Sequence, residues 1–195
     1  MLSQALIFLL ETAFNLLVLA ALLRFFMQLF RAPFRNPVAQ FVVALTDFAV
    51  KPLRRVIPGL GGLDLASLFF AWLAELILLV LVFAIRYQAL PDAAALPALL
   101  TLSLIALLRL TVYLLIGVVL VQAILSWVSP YHPMMPLFST LTQPFLAPIR
   151  RVVPLVGGVD LSPLVLLVVC QLILMLPIAW LELEVVRLFQ GRITG

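Results

Sequence analysis

Four arginines, arranged as two adjacent pairs, are the residues of this 195-residue chain best suited to chemistry. Arg54-Arg55 lies in Pro52-Leu-Arg-Arg-Val-Ile-Pro-Gly-Leu-Gly-Gly-Leu-Asp-Leu65, and Arg150-Arg151 lies in Pro148-Ile-Arg-Arg-Val-Val-Pro-Leu-Val-Gly-Gly-Val-Asp-Leu161. The stretches align without gaps at an offset of 96 residues, and nine of their 14 positions are identical. A guanidinium group is a planar donor matched to phosphate oxygens. Gly61-Gly62 and Gly157-Gly158 permit positive φ or a close backbone approach, and Pro58 and Pro154 stop any preceding helix. Asp64 and Asp160 immediately precede apolar runs, where a short carboxylate serves as a helix N-cap and meets the positive end of the macrodipole. Together these parts make a site for an anionic head group. A plainer reading stands beside it: the Arg pairs lie at head-group level and fix topology, the rest is a capped re-entry turn, and Arg54 or Arg55 pairs with Asp64.

Other chemistries lack their residues. Cys170 is the one cysteine and His132 the one histidine, so neither an internal disulfide nor a multi-histidine or Cys-pair metal site can form within the chain. Phosphate-loop, dinucleotide, zinc-protease and nucleophile-elbow motifs are absent from the sequence. The reading is therefore of a chain with no catalytic residue, metal or cofactor and no evident nucleic-acid contact.

The elements that must position the Arg pairs follow from composition. Hydrophobic residues make up 66% and charged residues 10%, with a mean hydropathy of +1.29. A soluble domain carries about 25% charged residues, so this chain belongs in a bilayer. Four apolar runs, Leu6–Leu23, Leu65–Ile85, Leu99–Val128 and Leu161–Leu181, are long enough to span it. Pro177 in the last is tolerable where neighbours satisfy the freed carbonyl. Four spans put the 24–64 and 129–160 connections on one side, with eight Lys and Arg, and the termini and the 86–98 connection on the other, with three. That imbalance predicts cytoplasmic connections and external termini.

Within the spans, Glu11, Glu75, Arg109 and Gln171 are the groups a bilayer tolerates least. The sequence predicts that Arg109 contacts Glu11 or Glu75. Two readings cover the set: an internal ion pair that holds the bundle, or a polar path for a proton or ion. Before the first motif, Asn36-Pro37 suits an N-cap and first helical residue, and Val38, Phe41, Val42, Leu45, Phe48 and Ala49 follow helical spacing, which fits either a helix lying in the interface or a stripe packed on the spans as core. The offset of 96 sets Asn36-Pro37 opposite His132-Pro133, Thr46 opposite Thr142 and Glu75 opposite Gln171. The fold class expected is an all-α membrane protein of four transmembrane helices in two parallel tandem repeats, 1–90 and 91–195. Each reads as helix, interfacial segment, Arg-Arg/Gly-Gly turn and helix.

The doubled Arg-Arg…Pro…Gly-Gly…Asp-Leu signature resembles the YggT family of bacterial inner-membrane proteins and their plastid relatives, across essentially the whole chain. Ser126-Trp127 and Thr142-x-Pro144 in the second copy look like the family pattern; the first copy has Phe30-Arg31 and Thr46-x-Phe48 instead. The resemblance implies roles in envelope organisation, division or nucleoid distribution, osmotic tolerance, or, in plastids, assembly of a membrane cytochrome. It implies no catalytic residue. The expectation is a non-enzymatic protein of the bacterial inner membrane that organises or assembles envelope components through anionic lipid, with a homo-oligomer or another membrane protein as partner. The alternative is a small oligomeric channel or transporter.

Overall fold

The structure, a computed structural model, describes residues 1–57, 59, 62–153 and 160–193. The chain runs α1 (Leu2–Leu29), α2 (Pro37–Val56), α3 (Leu65–Tyr87), α4 (Leu96–Val128), α5 (Met135–Arg150), α6 (Ser162–Ile173) and α7 (Ala179–Ile193). A π turn, Leu174–Ile178, joins α6 to α7 without a break. Pro177 sits inside that turn: it has no N–H to donate, and the wider winding absorbs the lost bond without ending the rod. No strand occurs among the described residues.

Four helical rods, α1, α3, α4 and Ser162–Leu188, are long and apolar enough to cross a membrane. The 23 residues of α3 reach about 34 Å, close to the thickness of a bilayer's hydrocarbon core. Helices α2 and α5 are short and lie between spans at one end of the bundle, the connection side; the opposite end is the termini side. Two spans, α3 and α4, separate the two Arg pairs, so both pairs face the connection side.

Local chemistry fixes the ends of these rods. Asn36 caps α2, its Oδ1 accepting from the Ala39 N–H at 2.8 Å, with Pro37 as the first helical residue. At the end of α1, Arg31 adopts φ +54°, and the Ala32 N–H returns to the Met27 carbonyl at 2.8 Å. This is a Schellman closure with arginine in the left-handed position usually held by glycine. The second copy departs from the simple offset here. Met134, not His132, is the N-cap of α5, because His132 turns its Nδ1 to accept from the Met134 N–H at 3.2 Å.

Helix α2 divides its apolar residues between two faces. Ala39, Val42, Thr46 and Val50 are buried, whereas Phe41 and Phe48 are 58% and 68% exposed. The inward stripe is thus shifted from the one expected, because Thr46 turns toward α1. Phe41 and Phe48 instead face the surroundings, as an interfacial helix requires.

The core is built on close contact of small residues. Ala20 and Ala21 of α1 and Ala66, Ala71 and Ala74 of α3 are buried, which lets the two backbones approach. Leu107 and Leu110 of α4 complete this cluster, while Ile105, Val112 and Val119 of the same helix pack on Leu146, Leu166 and Cys170 of the second half. One helix therefore serves both cores. Trp72 Nε1 donates to the buried Ser103 Oγ at 2.9 Å, tying α3 to α4. Between α1 and α6 lies a cleft of about 360 Å³, lined by Phe26, Phe30, Val118, Phe145, Val169 and Cys170. Ala71 is fully buried at the α1–α3 contact, so Ala71→Leu should overpack it and cost about 1–3 kcal/mol. Thermal unfolding in detergent, followed by tryptophan fluorescence, reads this directly.

Candidate functional site

A buried cation organises the connection side of the first half. Arg24, on the last turns of α1, is 4% exposed. Its Nη1 donates to Thr46 Oγ1 at 2.8 Å and to Asp47 Oδ1 at 2.9 Å, both on α2, and its Nε lies 3.8 Å from Asp64 Oδ2. Thr46 passes the bond on to the Val42 carbonyl at 2.7 Å. Sequence reasoning counted Arg24 among the connection residues as a topology signal. It is a helical residue turned inward, and its three- and four-residue spacing from Ala20, Ala21 and Met27 on the buried stripe of α1 is a signal that the surrounding leucines obscure.

Asp64 is the second hub. As N-cap of α3 it accepts from the Ser67 N–H at 3.4 Å and the Ser67 hydroxyl at 2.5 Å. Arg54, at the end of α2, clamps it with Nε to Oδ1 at 3.2 Å and Nη2 to Oδ2 at 2.5 Å, and reaches Gln28 Oε1 at 3.1 Å. Gly62, at φ +90°, offers its carbonyl to Gln28 Nε2 at 3.4 Å. Arg54 thus pairs with Asp64, whereas Arg55 points outward without an ion pair among the described residues. Gly61, Gly157 and Gly158, named with Gly62 as candidate head-group residues, lie outside the described residues, as do Pro58 and Pro154.

The second half repeats part of this design without its buried charge. Arg150 Nε donates to Asp160 Oδ2 at 2.8 Å, and Arg151 is exposed. Asp160 stands one residue outside α6, whose N-cap is Leu161, although its Oδ1 still accepts from the Ser162 N–H at 2.9 Å. The reason is local: Pro163 falls where the first copy has Ser67, so no N–H is available three residues on. In place of Arg24, the buried Gln122 accepts a hydrogen bond from the Thr142 hydroxyl. Gln122 and Arg24 differ by 98 in number, two more than the motif offset, because Thr142 follows Gln122 by 20 residues whereas Thr46 follows Arg24 by 22.

The intramembrane groups do not assemble as expected. Arg109 pairs with Glu182 of α7, and no ion pair joins it to Glu11 or Glu75 among the described residues. Glu182 was missed because it follows the last apolar run, beyond the π turn that carries the rod onward. Gln171 is exposed on the outer face of α6, away from Glu75, which is buried between helices. The four residues therefore form no single path. Among the described residues no group of three His, Cys, Asp or Glu could hold a metal ion.

The electrostatics favour ionised carboxylates at the hubs. Burial pushes the Asp64 carboxyl up, but the bonds from Arg54 and Ser67 outweigh it and hold the group below its ordinary 3.8. The Lys51 bond, with help from Arg24, lowers Asp47 likewise. Asp160 is lowered too, its burial outweighed by Ser162 and then Arg150. Groups depressed in the folded state add stability above their unfolded values and lose it as pH falls through the folded ones. Unfolding stability should accordingly hold level down to about pH 4 and drop below it, and Asp64→Asn should shrink that acid-side drop while lowering stability at pH 7. Arg24→Gln, which copies the second half's residue, leaves Asp47 and Asp64 short of a buried partner. It should cost about 3–5 kcal/mol in the same unfolding measurement.

Comparison with known proteins places this arrangement. The CCB3/YggT family model matches the chain twice, over residues 3–85 and 101–181. An uncharacterized protein from the proC 3′ region of Vibrio alginolyticus is 41% identical over 84% of this chain and 88% of its own. An uncharacterized protein of Pseudomonas aeruginosa is 40% identical over 91% and 90%, and the uncharacterized YggT of Escherichia coli 39% over 87% of each. No solved structure matches. With a family model covering both halves and relatives aligned over most of their length, the chain belongs to the CCB3/YggT family, as a tandem of two units.

Proposed function

We propose that this chain is a non-enzymatic protein of the bacterial inner membrane that organises or assembles envelope components by holding anionic lipid head groups at its connection side. The observation that carries the reading is the charge there. Eight Lys and Arg face three Asp in the two long connections and the end of α1. Arg24, Lys51, Arg54 and Arg150 are engaged by those three carboxylates. Arg31, Arg35, Arg55 and Arg151 are exposed and hold no ion pair among the described residues. Arg31, Arg35 and Arg55 lie just before or on α2 and Arg151 lies at the end of α5; the outward Phe41 and Phe48 of α2 suit the boundary between head groups and acyl chains. Arg54 and Arg150 are held in place by Asp64 and Asp160 and keep donor edges to spare, since a guanidinium has five N–H groups.

With Arg24 removed from the topology count, seven basic residues remain in the connections against three on the other side, which still favours cytoplasmic connections and external termini. A channel or transporter is the competing class. The cleft between the halves is lined almost wholly by apolar side chains, which suits packing or hydrocarbon better than an ion path. The double variant Arg55→Gln, Arg151→Gln leaves the Asp64 and Asp160 pairs intact. At about 1 kcal/mol per basic residue near an anionic surface, it should weaken binding of an anionic phospholipid to the detergent-solubilised protein by on the order of 30-fold. Binding of a zwitterionic phospholipid should not change. Unaltered affinity for the anionic lipid would reject the proposal.

A further inference from the structure

Glu75 has no role in the head-group reading, and its surroundings ask for one. Its side chain is 4% exposed, and Oε2 has no hydrogen-bond partner. It stands ten residues into α3, about 15 Å from the helix start, half the thickness of a hydrocarbon core. Ala71, Ala74 and Leu78, on the same face of α3, are buried around it. Three helices, α1, α2 and α4, pack against α3. From α1 the charge of Glu11 reaches Glu75, and from α4 that of Arg109, whose guanidinium is held by Glu182. The charged groups of α2 lie at the other end of α3: Asp47, Lys51 and Arg54 are gathered around Arg24 and Asp64, and Arg55 beside them is exposed.

A carboxylate ion at this depth with an orphan oxygen is far costlier than a carboxylic acid, whose added O–H turns the orphan acceptor into a donor. Among the described residues no third His, Cys, Asp or Glu joins Glu11 and Glu75, so a metal cation would find too few ligands where a proton needs only one. A hollow of about 430 Å³ lies between α1 and α3 at the termini side, lined by Ser3, Gln4, Glu11 and Arg86 among others. Glu11 is the deepest of its α1 residues, and α1 packs directly on α3, which carries Glu75.

We propose that Glu75 is a proton-binding site at mid-membrane, exchanging its proton with the termini side through the vestibule that ends at Glu11. A hydronium ion in the vestibule gives its proton to the carboxylate and becomes water; release is the reverse, and no other reactant takes part. The site makes the α1–α3 half of the chain responsive to proton concentration on one side of the bilayer. It does not depend on lipid binding at the Arg pairs.

The test uses the full chain reconstituted with uniform orientation in phospholipid vesicles. A membrane-permeant carbodiimide, which adds to protonated carboxyl groups, is followed by peptide mass spectrometry. Modification of Glu75 should rise as the pH on the termini side is lowered, and should ignore the pH on the connection side. Glu75→Gln should abolish the adduct on that peptide, Glu75→Asp should restore a pH-dependent one, and Glu11→Gln should slow the response to a pH jump several-fold. Because the wild-type pH series needs no variant, misfolding of Glu75→Gln would not blunt the test. Three results would overturn the proposal: no adduct at any pH, an adduct independent of pH on both sides, or one that tracks the connection side.

Discussion

A guanidinium group buried among packed helices cannot be left without partners, and Arg24 is the point from which the first half of this protein is organised. Its three partners come from two other elements: Thr46 and Asp47 from α2 and Asp64 from the start of α3. Satisfying one buried cation therefore fixes where the interfacial helix docks and where the next span begins. Asp64 carries a second duty, since the carboxylate that faces Arg24 also caps α3 and receives Arg54. Removing either charge leaves the other buried and short of partners, which is why such a network is costlier to break than to omit.

The second half shows what omission looks like. Gln122 and Thr142 hold α4 to α5 with a neutral contact, and among the described residues Asp160 is bonded to the exposed Arg150 and to the Ser162 N–H. The two copies thus share a motif and differ in electrostatics. One is locked by buried charge; the other relies on apolar packing of Leu137, Leu141 and Leu146. A neutral contact sets a looser constraint on docking angle, and the second half accommodates two internal prolines in α5, Pro144 and Pro148.

Much of this was legible in the residues. The four spans, the interfacial helices, the Asn36 cap and the Arg54–Asp64 pair follow from hydropathy, spacing and local hydrogen-bond chemistry. The rest depends on rotation about helix axes, which a nearly uniform apolar helix does not encode. Leucine on every side of α1 hides the fact that Arg24 faces inward. The same uniformity hides the outward turn of Gln171 and the choice of Glu182 over Glu11 and Glu75 by Arg109. An offset of 96 fitted to the motif also fails upstream of it, where the second copy has two fewer residues between the paired positions and Gln122 stands in for Arg24.

The cleft between α1 and α6 has a geometric meaning. Two parallel copies related by an axis along the membrane normal would make each interface twice, so the contact of α3 with α4 would have its counterpart in α6 against α1. Helix α4 does pack on α3, but α1 and α6 do not approach each other. The apolar walls of the cleft stand where that second contact belongs. The duplicated bundle is consequently open on the α1–α6 side, with broken pseudosymmetry and an apolar seam along it.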